Sequence, residues 1–305
     1  MGIGRDHPGI EMIDVTPSRG VETTDSAPNA STENFPVALR ILPAARRHAL
    51  LAIYAVARAI DQLGDAAPGD RTAALAAFRS DLHRLGDGDT PAERVLRDLA
   101  PHAKRFALPL QCFDDLIEAN LVDQTVTRYA DFDALLGYCA LSAHPIGRLV
   151  LAVFEQTTPA RVAWSDSVCA ALQVLEHCQD VVEDHAADRI YLPQNQLAAA
   201  GLTDTTMLRP ANALALRRVV LDQVRTAREM LGAGTPLVAG LRGWGRVAVA
   251  GYVAGGLATA DAIDRAGGDV VTGAPVRPSR TRMARHAIRL LVTARATART
   301  PSRRP

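Results

Sequence analysis

Apolar residues along this chain recur at intervals of three to four, the period of helices with one covered face. No run alternates like a half-buried strand, and no segment repeats at a fixed period. The pattern predicts helices over residues 44–64, 71–85, 91–104 and 109–122. Another covers 131–147, is interrupted at Pro145 and continues to 154. A long helix opens at Pro159 and reaches 187. Helices over 211–231, 236–241 and 247–266 complete the set. Residues 66–70 read as a turn and 86–90 as a loop of alternating Gly and Asp, while Pro193 ends the segment after the long helix. The expected fold class is all-α.

The first 30 residues carry Pro, Ser, Thr and Gly without period. They lack the basic start and unbroken apolar core of a signal peptide, and predict an unstructured tail. A lead-in over 33–43, broken by Pro36 and Pro43, opens a main domain over 31–275. Residues 276–305 then form a basic tail with nine arginines and no acid. That stretch reads as a solvated tail, or as a helix lying on an anionic membrane without spanning it. In the second case Arg282, Arg285 and Arg289 line one side, opposite Ile288 and Leu291. The longest uncharged apolar stretch, 247–260, is too short to span a bilayer. Its glycines Gly251, Gly255 and Gly256 let a neighbour or ligand approach closely.

Composition changes this picture little. The chain is 48% hydrophobic but only 4% aromatic, which fits an Ala/Leu-rich bundle, and 305 residues suffice for a sizeable core. A formal net charge of +1 gives no ground for a nucleic-acid partner. Cys112, Cys139, Cys169 and Cys178 show no metal or redox spacing and read as buried small hydrophobes in a reduced compartment, so a cytoplasmic location is expected.

The chemistry lies in two carboxylate pairs, Asp61 with Asp65 and Asp180 with Asp184. Each is spaced i, i+4, so both carboxylates of a pair share one helix face, where they repel. Tyr54, Arg58, Asp61 and Asp65 form one polar stripe, and Gln173, Glu176, Asp180 and Asp184 form another. Two such stripes in apolar helices suggest facing helices that share cations. Mg²⁺ prefers carboxylate oxygen and completes its shell with water and substrate phosphate. The residues thus point to an enzyme that handles a diphosphate.

Read in order, the segments resemble a known family. Glu33-Asn-Phe-Pro-Val-Ala and the stretch from Ala52 to Asp65 resemble the opening of squalene/phytoene synthases. Thr127-Arg-Tyr with Tyr138-Cys-Ala-Leu-Ser-Ala-His-Pro-Ile-Gly is similar to their middle motif. Gln179-Asp-Val-Val-Glu-Asp followed by Asp188-Arg-Ile-Tyr-Leu-Pro is similar to their second acidic motif. The resemblance runs from about residue 33 to 280 and is closest to the bacterial hydroxysqualene synthase branch of the hopanoid route. It implies an all-α terpenoid-synthase bundle with a central cavity, binding a prenyl diphosphate through Mg²⁺. By position, Asp61, Asp65, Asp180 and Asp184 would hold metal, with Glu176 as a further candidate. Arg58 and Arg189 would contact diphosphate, and Gln173 and Tyr191 would line the cavity near the reacting carbons. Scarce aromatics single out Tyr54, Tyr138, Tyr191 and Tyr252 as faces for a carbocation.

Three departures from the family pattern refine the expectation. Gln62 and Ala66 stand where further acids are usual, so weaker Mg²⁺ binding is expected. Glu176 replaces an Asn and adds a third carboxylate to the second stripe. Leu141 stands where synthases condensing two farnesyl diphosphates carry Tyr, which argues against condensation. The resemblance therefore implies conversion of presqualene diphosphate to hydroxysqualene with release of diphosphate, a lyase-type reaction. The alternatives are a prenyltransferase joining two prenyl diphosphates, and a non-catalytic scaffold in complex with other squalene-pathway enzymes. The basic tail implies peripheral contact with the inner membrane face.

Overall fold

Helices form where the period predicts them. The computed structural model describes residues 42–272 and 276–299, with side chains to Ala294. The tail over 1–30, the lead-in up to residue 41 and residues 300–305 lie outside the described residues. The first four helices are α1 (Ala44–Asp65), α2 (Arg71–Asp87), α3 (Arg94–Phe106) and α4 (Gln111–Val122). They are followed by α5 (Phe132–Ser142), α6 (His144–Val153), α7 (Pro159–Gln179), α8 (Val181–Ala186) and α9 (Gln194–Ala199). The last four are α10 (Ala213–Gly234), α11 (Pro236–Gly240), α12 (Gly243–Arg265) and α13 (Arg280–Arg299). Among the described residues there is no strand, only an isolated bridge between Arg128 and Ile190.

Local chemistry sets several starts. Asp70, Asp131 and Thr158 sit in extended conformation and accept the orphan N–H of Ala73, Ala134 and Arg161 at the heads of α2, α5 and α7. Pro159 follows its cap at the first helical position, where no N–H is needed. The expected helix over 131–154 is two helices, because the chain turns at Ala143 just before Pro145. Its span Phe132–Val153 is apolar and long enough to cross a membrane, yet about half is buried inside the protein.

Two layers of packing place the site. On one side α1 lies across α2, α3 and α4 through Leu50, Ile53, Val56 and Ile60. On the other, α7 packs along α10, with α12 and α6 beside it. Gly256 of α12 faces Leu172 and Leu231, and an added Cβ would come 2.6 Å from Leu172 Cδ2. That glycine sets how closely α12 meets its neighbours.

Two expectations are corrected. The long helix does not run unbroken to residue 187: Asp180 leaves helical geometry at φ −98°, ψ 13°, and separates α7 from α8. Glu176, Asp180, Glu183 and Asp184 crowd this stretch, and their mutual repulsion disfavours a straight continuation. The basic segment also differs from a solvated tail. Its helix α13 packs on α11 and α12, burying Leu290 and Ala294. Asp261 of α12 anchors it, 2.9 Å from His286 Nε2 and 3.7 Å from Arg282. Ile288 lies on its exposed outer side, whereas Leu291 is half-buried.

Candidate active site

Three helix C-termini meet here, and each ends in aspartate. Asp61 and Asp65 occupy the last turns of α1, Asp123 caps α4, and Asp180 caps α7. A helix C-terminus carries partial negative charge, so carboxylates are unfavourable there unless a cation answers them. No basic residue lies in the last turn of α1 or α4. In α7 the one basic side chain of that turn is His177, which burial holds neutral by lowering its pKa to about 3.

Arg189 answers part of this charge. Its Nη2 donates to Asp65 Oδ1 at 2.9 Å, and its backbone N–H donates to the Asp184 carbonyl at 2.8 Å. Burial works against the guanidinium's charge, but the hydrogen bond to Asp65 and the nearby Asp123 hold its pKa above the usual value. Its charge in turn lowers the pKa values of Asp123 and Asp184. Arg189 thus ties the end of α1 to the end of α8. Even so, burial and the neighbouring Asp180 carry Asp184 up to about 7, with Glu183 and Glu176 adding to the rise. Burial and Glu183 raise Asp180 in the same direction.

An aromatic wall adjoins the charged floor. Tyr129, Tyr138 and Tyr191 are all buried, three of the chain's five tyrosines. Tyr191 stacks on His177 at 3.8 Å between centroids and 11° between planes, and on Tyr129 at 5.6 Å. Tyr138 stands 5.4 Å from both Tyr129 and Tyr191. Asp123 fixes two of the rings: Tyr138 donates to its Oδ2 at 2.6 Å and Tyr191 to its Oδ1 at 3.2 Å. Burial raises the Asp123 pKa, and those hydroxyls counter the rise. Burial also raises the pKa of all three phenols, so they stay neutral, Tyr138 and Tyr191 as donors to Asp123. A pocket opens between His177, Asp184, Arg189 and Tyr191, with Leu192 and Met207 behind.

The segment carrying Arg189 and Tyr191 is held by a second arginine. Arg128 donates to the Asp188 carbonyl, to Asp188 Oδ1 and to Asp204 Oδ2, each at 2.6 Å. Asp188 has φ +58°, a left-handed conformation that aspartate tolerates better than most residues. The N–H of Ile190 bonds the Thr127 carbonyl at 2.9 Å, and that of Gln194 bonds Tyr129 at 2.9 Å. The loop after α4 and the loop after α8 are thereby laced together. Gly64 completes the support: its Cβ-free face meets Asn120, whose amide reaches Asp61 Oδ1 at 3.5 Å.

Most expected residues belong to this constellation. Asp61 and Tyr54 are half-buried on α1, and Asp65 is exposed. Gln173 is half-buried, with its amide 3.4 Å from His177 Nε2. Glu176 is exposed and reaches the site through its charge on Asp184. Arg58 is exposed and makes no hydrogen bond or ion pair among the described residues. Gln62 and Ala66 are exposed, off the Asp61–Asp65 stripe. Sequence reasoning missed Asp123, Tyr129 and His177 as site residues. The one signal for Tyr129 was its place in Thr127-Arg-Tyr.

The donor set suits a hard cation. Asp61, Asp65, Asp180 and Asp184 offer only oxygen; Asp61, Asp65 and Asp180 stand at helix C-termini, and Asp180 repels Asp184. Among the described residues no three His, Cys, Asp or Glu side chains close into a metal cage. Donors of this kind could hold a hard divalent cation that keeps part of its water shell.

Comparison with known proteins agrees with this geometry. The sequence pattern of squalene/phytoene synthases matches residues 29–287. The chain belongs to the squalene/phytoene synthase family. It is 36% identical over 220 residues to the hydroxysqualene synthase of Rhodopseudomonas palustris, covering 69% of this chain and 72% of that protein. It is 35% identical over 181 residues to the phytoene synthase of Mycobacterium tuberculosis, an alignment spanning 59% of each chain. Squalene synthase HpnC from Alicyclobacillus acidocaldarius superposes with a TM-score of 0.70 at 35% identity, covering 78% of this chain and 90% of that one. A dehydrosqualene synthase in complex with ligand superposes at 0.78 and 18% identity, covering 87% and 93%, a likeness of fold. The expected all-α terpenoid-synthase fold is the fold of this protein.

Proposed function

We propose that this family member converts presqualene diphosphate and water to hydroxysqualene and diphosphate, with Mg²⁺ as cofactor. The observation that carries the reading is Arg189, held among Asp65, Asp123 and Asp184 beside a wall of three tyrosines. A fixed guanidinium at a cluster of carboxylates suits a metal-bound diphosphate, and the wall suits the carbocation left behind. Leu141 and the likeness to hydroxysqualene synthases favour water capture over condensation.

The carboxylates Asp61, Asp65, Asp180 and Asp184 would hold Mg²⁺, which when bound neutralises the leaving group as a Lewis acid. Arg189 binds a phosphate oxygen and keeps the two acidic helix ends together. Arg58, exposed on α1, is free to turn to the same group. As the carbon–oxygen bond breaks, both electrons leave with diphosphate. Asp123 accepts from the hydroxyls of Tyr138 and Tyr191 and so fixes where their rings lie. The ring faces then stabilise positive charge while the carbon skeleton rearranges. Water adds to the rearranged cation and loses a proton.

A second reading has its own support, since likeness to a phytoene synthase favours condensation of two prenyl diphosphates. Products identified by mass spectrometry separate the two. The protein is supplied with Mg²⁺ and either presqualene diphosphate or farnesyl diphosphate. Hydroxysqualene from the first alone supports water capture. A C30 product from farnesyl diphosphate moves the chain to the condensing branch, and silence with both leaves the scaffold reading.

A further inference from the structure

Charge is split unevenly along the chain. Residues 277–305 hold nine of the 34 basic residues and none of the 33 acids, so the formal +1 divides into +9 there and −8 over the rest. Most of the basic stretch is α13, whose inner face is settled by Met283, Ala287, Leu290 and Ala294 against α11 and α12. The outer face presents a different pattern. Ile288 is 63% exposed and Val292, one turn later, is 61% exposed. Arg285 and Arg289 are exposed beside them, and Arg280 a turn earlier. None of these three arginines has an ion pair among the described residues, whereas Arg282 is turned to Asp261.

Arginines alone would suit any anionic partner. Two large aliphatic side chains set among them narrow the class. An acidic protein surface or a nucleic-acid backbone answers the charge and leaves Ile288 and Val292 in water. A bilayer interface answers both, with phosphate headgroups for the arginines and the acyl boundary for the aliphatics. We propose that the outer face of α13 is a membrane-contact surface, lying flat on a bilayer that contains anionic phospholipid. The acidic remainder of the chain is repelled by the same surface, which favours approach through α13. The segment leading into α13 is also fastened near the site, because Gln179 Nε2 donates to the Val276 carbonyl at 2.5 Å, and Gln179 directly precedes Asp180.

Flotation of the full chain with phosphatidylcholine vesicles, with and without phosphatidylglycerol, tests this. Binding is expected only to the anionic vesicles and weakens as salt rises. Ile288→Ser with Val292→Ser lowers the bound fraction about tenfold, and Arg285→Gln with Arg289→Gln does the same. Both pairs lie outside the core, so the melting temperature stays at the wild-type value. Equal binding to neutral vesicles, no binding to anionic ones, or binding indifferent to both double substitutions overturns the proposal. Sedimentation velocity without lipid supplies the other check. A dimer that Ile288→Ser with Val292→Ser dissolves would assign this face to a second copy of the chain, and would also overturn it. No readout here involves turnover, so this proposal and the hydroxysqualene reading fail separately.

Discussion

The two acidic pairs share one spacing and live in different surroundings. Asp61 and Asp65 end a straight helix, with Asp65 exposed and bonded to Arg189. Asp180 and Asp184 straddle a kink, half-buried, with Asp184 raised to about 7. The nearest basic side chain to Asp184 on α7 is His177, 3.9 Å away and held uncharged. The same i, i+4 motif thus gives one pair bonded directly to Arg189 and one that Arg189 reaches through its charge, which burial and Asp180 outweigh. The difference teaches that the second pair bears more of the demand for a cation, while the first is positioned to share it through Arg189.

The largest expected effect comes from removing that link. Arg189→Ala should lower kcat/KM for diphosphate release about 10³-fold, because the guanidinium bonds Asp65, acts through its charge on Asp184 and, in the proposed reaction, binds the leaving group. A loss under tenfold would show that the pairs act without it. Next come the pairs themselves. Asp65→Asn and Asp184→Asn should each cost turnover about 10²-fold, yet shift metal-free stability in opposite directions. Asp184→Asn removes a half-buried carboxylate whose charge burial and Asp180 disfavour, and should raise stability by about 1 kcal/mol. Asp65→Asn removes the exposed partner of the half-buried Arg189 and should lower it by about 1 kcal/mol. Melting curves in EDTA check the signs, and shifts of the same sign would erase the contrast.

Smaller effects probe the supports. Arg128→Ala frees the loop bearing Arg189 and Tyr191, and should raise KM about tenfold while changing kcat less. Arg128→Lys should rescue little, since one ammonium cannot replace the fork that holds Asp188 and Asp204. Tyr138→Phe removes one hydrogen bond to Asp123 and should cost about 1 kcal/mol in kcat/KM, roughly fivefold. Glu176→Asn should be the mildest, within about threefold, because Glu176 is exposed and its charge is among the smaller influences on Asp184.

Much of this was legible in the chain. Helix periods and punctuating prolines predicted nearly every long element, and the i, i+4 aspartates marked both sides of the site. The kink at Asp180 was hidden, because the hydrogen bonds Asp180 N–H to Glu176 and Asp184 N–H to Asp180 persist across it. One residue's dihedral departure leaves no trace in an apolar period. Asp123 was hidden for another reason: it is a lone acid until the ends of α4, α5 and α8 meet. His177 lies on the buried side of α7, where its stacking on Tyr191 depends on the Arg128 clamp. In α13 the inner positions Met283, Ala287, Leu290 and Ala294 do keep the helical period. Dense arginine between them read as solvation.

The central claim is that the two pairs together hold Mg²⁺ and a diphosphate. Thermal unfolding of the wild type in EDTA, and again with Mg²⁺ and inorganic diphosphate, tests it without turnover. The account predicts a rise of several degrees, about 2–4 °C per kcal/mol of ligand stabilisation, that is absent in Asp61→Asn with Asp184→Asn. An equal rise in that double variant, or none in the wild type, would contradict it.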